Sequence, residues 1–126
     1  MPAFYKIDKE HRLVLTTGSE TLSWADIEAH QQSLQKDPDF DPEYSQIADF
    51  SHVTSFDLSG EDIRALARRS VFSSHAHRAV IAPSDLGFGL ARMFEMLREN
   101  DGEMGIRVFR TLEEALEWVF SRSTNA

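Results

Sequence analysis

Helix-like and strand-like segments alternate through the second half of the chain. Helical spacing of apolar residues predicts helices over 59–73, 85–99 and 112–120, and short apolar runs between them predict strands over 78–82 and 106–109. Strands that alternate with helices are connected by right-handed crossovers and lie parallel in one sheet. This half of the chain therefore predicts an α/β fold.

The first residues predict a hairpin at one end of that sheet. Apolar and polar residues mix in strand-like runs over 4–7 and 12–17, and the charged segment 8–11 between them is typical of a turn. Gly18 is expected to end the second strand. Because a hairpin is antiparallel, the whole sheet is expected to be mixed.

One more helix and one more strand complete the predicted set. Ser23 is suited to cap a helix that begins after it, and Pro38 stops that helix. A buried strand is then predicted over 46–50. The sequence as a whole predicts a single mixed β-sheet of about five strands with four helices.

The length and net charge of the chain limit the number of domains and the classes of partner that it can bind. The 126 residues, 41% of them hydrophobic, suit a single domain over 1–126 whose polar end, 121–126, is expected to fray. Lys and Arg number 13 against 21 Asp and Glu, a formal net charge of −8 that disfavours nucleic acid and anionic membrane surfaces. No apolar run is long enough for a secretory signal or a membrane span, so a cytoplasmic protein is expected.

The most informative motif lies where the strand near residue 47 ends and the next helix begins. Ser59 is predicted to cap that helix, with Asp62 completing a capping box three residues later. The segment resembles STAS domains, the SpoIIAA-like anti-sigma-factor antagonists, in which a buried strand leads through a short turn to an Asp-Ser-Ser-Gly motif. Asp57, Ser59 and Gly60 match that motif, whereas Leu58 replaces its first serine.

The resemblance covers about residues 4–120 and is closer to one group of small, stand-alone bacterial proteins. These SpoIIAA-like proteins are also likened to the CRAL-TRIO lipid-transfer fold. Segments 82–93 and 108–115 look characteristic of the group. The resemblance implies a STAS/SpoIIAA-like fold and leaves two functions open.

The first implied function is a non-catalytic regulatory module that docks a protein partner, such as a kinase-type anti-sigma factor. The resemblance makes Ser59 the serine that the partner phosphorylates, and this version requires an exposed Ser59 hydroxyl. The docking surface would then comprise Thr54, Ser55, Asp57, Ser59 and Gly60. The alternative is that Ser59 serves only as a helix cap.

Two features of the turn bear on that function. Leu58 departs from the motif, because it removes a small polar residue from the turn and is expected to bury part of it. Asp57, Glu61 and Asp62 surround Ser59 with negative charge, which opposes a phosphate there, although a helix N-terminus favours one and the antagonists that the segment resembles share some of that acidity.

The second implied function is a small apolar ligand- or lipid-binding module. It predicts a pocket between the third helix, the sheet and the last helix, lined by Phe88, Met93 and Phe94, with Arg92 and Arg98 as polar anchors. The alternative is that these soft side chains fill the core. A homodimer is compatible with either function.

The remaining motifs carry little chemistry. His75 and His77 form a His-x-His pair that could bind zinc, but no further metal ligands accompany it in the sequence. His52 with Asp49 or Asp57 could form a general-base pair, but no recognisable nucleophilic serine accompanies it. The chain has no cysteine, which excludes disulfides, a thiolate nucleophile and cysteine-ligated metals. No metal or other cofactor is expected, and the chain is expected not to be an enzyme.

The third predicted helix has an apolar stripe and two glycines near its start. Gly87 and Gly89 would let an anionic group approach the backbone, or would allow close packing of the helix against a neighbouring loop. The stripe is expected to pack on the sheet and comprises Leu86, Leu90, Met93 and Leu97.

Overall fold

The computed structural model describes residues 3–124, and it describes side chains through residue 121. Residues 125–126 of the tail that was expected to fray lie outside this part, and the fraying stays a prediction. The elements follow in the order β1 (Ala3–Asp8), β2 (Leu13–Ser23), α1 (Trp24–Lys36), β3 (Ser45–Asp57), α2 (Gly60–Ala67), β4 (Arg78–Ile81), α3 (Asp85–Asn100), β5 (Ile106–Phe109) and α4 (Leu112–Thr124).

The five strands form one mixed sheet in the spatial order β1-β2-β3-β4-β5. Strand β1 pairs with β2 in the antiparallel direction, and the other neighbours are parallel. The predicted α/β class, the hairpin and the mixed sheet are confirmed.

Strands β2 and β3 are longer than the sequence predicted. They stay paired to Ser23 and Asp57, whereas β3 pairs with β4 only as far as Asp49. The expectation that Gly18 ends β2 was wrong, because the strand passes this residue through a register shift. A Cβ at Gly18 would lie 2.8 Å from Cδ1 of Phe50, so this glycine makes room for an aromatic ring.

The two faces of the sheet carry different helices. Alternating side chains of the strands point to opposite faces. On one face, Leu13, Ile47 and Ile81 pack against Ala115 and Val119 of α4. Helices α1, α2 and α3 cover the other face, so the side chains that alternate with these strand residues lie beneath those three helices.

Helix α2 is shorter than predicted. The prediction extended it to residue 73, but it ends at Ala67, whose carbonyl accepts a hydrogen bond from Nη1 of Arg98 at 2.7 Å. Beyond the end of the helix, Phe72 packs in a second buried cluster with Val14 and Leu34. Arg98 thus occupies the carbonyl to which the N–H of residue 71 would donate if the helix continued.

The stripe on α3 packs as expected except at its first residue. Leu90, Met93 and Leu97 surround a cluster that includes Ile63 of α2 and Ile106 of β5. Leu86, in contrast, is 62% exposed, and its assignment to the packed stripe was wrong. Within the first turn of α3, Leu86 is therefore exposed, whereas Gly87 is buried.

Candidate functional site

A cavity of about 120 Å³ lies between the sheet and helices α1, α2 and α3. Its lining is predominantly apolar and draws on each of those elements. The apolar lining residues include Leu22, Ile27, Leu34, Ala48, Phe50, Phe56, Leu58, Ile63, Leu66, Val80, Leu90, Ala91 and Phe94. Protein interiors are close-packed, so a void of this size is a specific feature of the fold.

Small residues leave this space open. Ala48 lies on the sheet beneath the cavity and Ala91 lies on α3 above it. Gly87 allows the Phe56 ring to lie against α3, because a Cβ there would be 2.8 Å from Cε2 of Phe56. The close-packing interpretation of Gly87 therefore holds, with a strand residue as its neighbour. At Gly89, a Cβ would meet none of the described residues within 4 Å.

A row of polar side chains crosses the sheet side of the cavity. Arg78 Nε donates to Oε1 of Gln46 at 3.1 Å, and Nε2 of Gln46 donates to Oγ1 of Thr16 at 3.0 Å. Oγ1 of Thr16 lies 3.0 Å from Nε2 of His30. Because the Arg78 donor fixes the orientation of the Gln46 amide, the Thr16 hydroxyl accepts from Gln46 and directs its own proton to His30.

His30 is neutral in this setting. Burial, assisted by the positive charge of Arg78, lowers the pKa of His30 from 6.5 to about 4. Its ring also packs edge-on against Tyr5, with the ring centroids 5.3 Å apart. An unprotonated His30 can accept a hydrogen bond from the Thr16 hydroxyl, which agrees with the donor and acceptor roles assigned along the polar row.

Glu103, a fully buried carboxylate, lies at the other end of the row. It accepts from Nη1 of Arg78 at 3.2 Å and from Nε of Arg98 at 2.8 Å. Burial lowers the pKa of Arg78, and the adjacent Glu103 opposes that effect. Arg98 is thus occupied by Glu103 and by the end of α2, and it does not line the cavity as a ligand anchor.

Gln31 presents an unsatisfied atom at the cavity. Its Oε1 is buried and has no hydrogen-bond partner in the described part of the chain. Gln31 is also one of the cavity-lining residues. A buried polar atom without a partner costs about 1–3 kcal/mol, so a ligand or water that bonds to it would stabilise this arrangement.

The structure places one of the four predicted pocket residues at this cavity. Phe94 lines the cavity, but Phe88, Met93 and Arg92 do not. Phe88 lies beneath the guanidinium of Arg110, Met93 packs between α2 and α3, and Arg92 binds Glu95 at 2.6 Å. The cavity also lies away from the last helix, because α4 covers the opposite face of the sheet.

The sequence interpretation missed the polar part of the site. Thr16, His30, Gln31, Gln46 and Arg78 were not among its candidates. A signal was present in two of the predicted strands, because Gln46 is the first residue of the segment that was expected to be buried and Arg78 is the first residue of the otherwise apolar segment 78–82. A polar side chain at a buried strand position requires a partner.

The β3–α2 turn separates buried from exposed side chains. Leu58 is half-buried and lines the cavity, as its replacement of a serine suggested. Ser59 is exposed, and its Oγ accepts from the Asp62 backbone N–H at 3.1 Å. Oδ2 of Asp62 accepts from the Ser59 N–H in return, which confirms the predicted capping box. Thr54, Ser55 and Asp57 are exposed and Gly60 is half-buried.

The other candidate motifs do not assemble into a site. Within residues 3–121, no group of three or more His, Asp or Glu side chains is placed to hold a metal ion. His75 bonds with Ser73, and the His77 ring packs on Trp118. None of the helices described over 3–124 combines the length and apolar character that a membrane crossing requires.

Comparison with solved structures supports the fold independently. An uncharacterised protein of the DUF3478 family from Shewanella loihica PV-4, described as having a SpoIIAA-like fold, matches with a TM-score of 0.59 over 93% of both chains. This chain has a SpoIIAA-like fold. The identity is 18%, so the similarity concerns fold alone. No family model and no curated protein matches the sequence. The resemblance seen at the β3–α2 turn is therefore confirmed at the level of the fold.

Proposed function

We propose that this protein is a non-catalytic module that binds a small, mostly apolar molecule in the cavity between the sheet and helices α1–α3. The observation that carries the proposal is the cavity itself, about 120 Å³ in volume and lined mainly by apolar side chains. An apolar ligand that covers these side chains removes apolar surface from water, which contributes about 25 cal/mol per Å².

The volume limits the size of the ligand. An engineered apolar cavity of about 150 Å³ binds benzene. A ligand of roughly six to eight non-hydrogen atoms therefore suits the cavity described here. Oε1 of Gln31, which has no hydrogen-bond partner among residues 3–121, favours a ligand that also carries a polar group.

A pair of leucine substitutions tests the proposal. Ala91 lines the cavity on α3, whereas Ala29 is exposed on α1. Ala91→Leu places three further carbon atoms in the cavity, and Ala29→Leu adds the same atoms to the surface. Binding of toluene, hexanamide and hexanoate is measured for each variant by ligand-observed NMR.

At least one of the three compounds is expected to bind the wild type. Ala91→Leu should weaken that binding by at least about tenfold and raise the unfolding free energy, since each buried methylene contributes about 0.8 kcal/mol. Ala29→Leu should change neither. If no compound binds the wild type, or if Ala91→Leu binds as well as Ala29→Leu, the proposed cavity function is wrong.

A second candidate function is a regulatory protein-interaction module that is phosphorylated at Ser59. It is supported by the exposure of Ser59 at the start of α2, within a SpoIIAA-like fold. Exposed Asp57 and Glu61 act against a phosphate at this position. Peptide mass spectrometry of the protein purified from its native host, with Ser59→Ala as the control, tests for the modification. An unmodified Ser59 under all growth conditions would contradict this candidate.

A further inference from the structure

The cavity contains a cation whose charge is only partly compensated. Glu103 is shared between Arg78 and Arg98. Arg98 has a second carboxylate, since Asp101 lies 3.6 Å from its Nη1. For Arg78, Glu103 is the one carboxylate within salt-bridge distance among the described residues. Of these two arginines, only Arg78 lines the cavity.

The Arg78 guanidinium is also fixed in place. Its carbon lies 4.6 Å from the ring centroid of Phe72 and 5.7 Å from that of Phe94. Nε and Nη1 donate to Gln46 and Glu103, while Nη2 donates to no other group in the described part of the chain. A planar, oriented guanidinium with free N–H groups is the usual partner of a carboxylate.

Gln31 offers a second polar contact at the same cavity. The two ends of a glutamine amide exchange when the amide turns about its last bond. The end that has no partner in the described residues can therefore present N–H groups as well as an oxygen. Because His30 is neutral, Arg78 is the one charged side chain among the described residues that line the cavity.

We propose that the cavity binds a small monocarboxylate, with the carboxylate accepting from Nη2 of Arg78 and the short apolar tail lying among the lining residues Leu66, Leu90 and Phe94. This inference rests on the proposed ligand-binding function and specifies its ligand class. The formal net charge of −8 disfavours non-specific attraction of an anion, so a preference for a carboxylate has to arise from the local cation.

Hexanoate and hexanamide test the inference, because they share shape and atom count and differ in charge. Calorimetric titration is carried out on the wild type, on Arg78→Met and on Arg64→Met. Arg64 is an exposed residue of α2 that pairs with Glu61, so its substitution removes the same charge outside the cavity. The wild type is expected to bind hexanoate at least about tenfold more tightly than hexanamide. Arg78→Met should abolish the preference, and Arg64→Met should retain it.

The outcomes separate the inference from the function on which it rests. Equal affinity for the two compounds overturns the carboxylate assignment and leaves a ligand-binding cavity in place. A preference that survives in folded Arg78→Met overturns the role of Arg78. If neither compound nor toluene binds, the proposed function fails together with the inference. Should Arg78→Met not fold, the wild-type comparison still decides between an acid and a neutral ligand.

Discussion

Mild acid should destabilise this protein through His30. The side chain lines the cavity and lies 3.0 Å from Oγ1 of Thr16. Burial and the charge of Arg78 lower the pKa of His30 from 6.5 to about 4. Protonation is therefore easier in the unfolded chain than in the folded one, and stability falls as the pH decreases from about 6.5 towards 4.

The size of the effect follows from the two pKa values. At about pH 7.5 His30 is neutral in both states and contributes nothing. At about pH 5 the unfolded state is mostly protonated and the folded state is mostly neutral, which costs about 2 kcal/mol at 1.36 kcal/mol per pKa unit.

Urea unfolding at the two pH values, for wild type and His30→Gln, measures this contribution. The comparison is needed because His11, exposed and hydrogen-bonded to Asp8, has a raised pKa and acts in the opposite direction. The wild type is expected to lose about 2 kcal/mol more than His30→Gln on acidification. Equal losses would show that His30 is not held neutral by burial, and would refute the account of the polar row.

Three further substitutions test the packing around the cavity. Glu103→Gln should cost about 3–5 kcal/mol in urea unfolding, because it leaves buried guanidinium groups without their carboxylate, and a cost below about 1 kcal/mol would contradict that pairing. Gly87→Ala should destabilise the fold by about 1–2 kcal/mol, because the added Cβ meets the Phe56 ring. Gly89→Ala in the same helix should stabilise the fold by roughly 0.5–1 kcal/mol, because its Cβ has open space. Similar effects at the two positions would contradict the close contact at Gly87. Ser59→Ala should cost about 1 kcal/mol through loss of the helix cap, and an unchanged thermal midpoint would count against the capping box.

Local sequence signals predicted most of the fold. The capping residues Ser23 and Ser59 place two helix starts, and the alternation of helices and strands after residue 59 places the parallel part of the sheet. Each cap and each short apolar run is recognised from a few neighbouring residues, so one sequence is enough to find them.

The differences arise where distant residues decide the structure. Strand β2 continues past Gly18 because β3 pairs with it and Phe50 covers the glycine. Helix α2 ends at Ala67 because Arg98, 31 residues away, binds its last carbonyl. Neither contact has a signature in the local sequence.

The candidate site was harder to predict than the fold. The soft residues of α3 suggested a pocket, but the helix alone does not show which side chains face the cavity, and only Phe94 of the proposed set lines it. The polar row depends on strand register, and it ends at Glu103 in the loop before β5. Buried polar residues at the starts of two strands were the available clue.

Nuclear Overhauser contacts between bound hexanoate and the protein's methyl groups test the central claim most directly. The account predicts contacts from the hexanoate chain to the methyl groups of Ile63, Leu66 and Leu90, which line the cavity from α2 and α3. Contacts confined to the α4 face, such as those to Val119, or the absence of any contact with hexanoate, hexanamide and toluene alike, would contradict a ligand-binding cavity between the sheet and helices α1–α3.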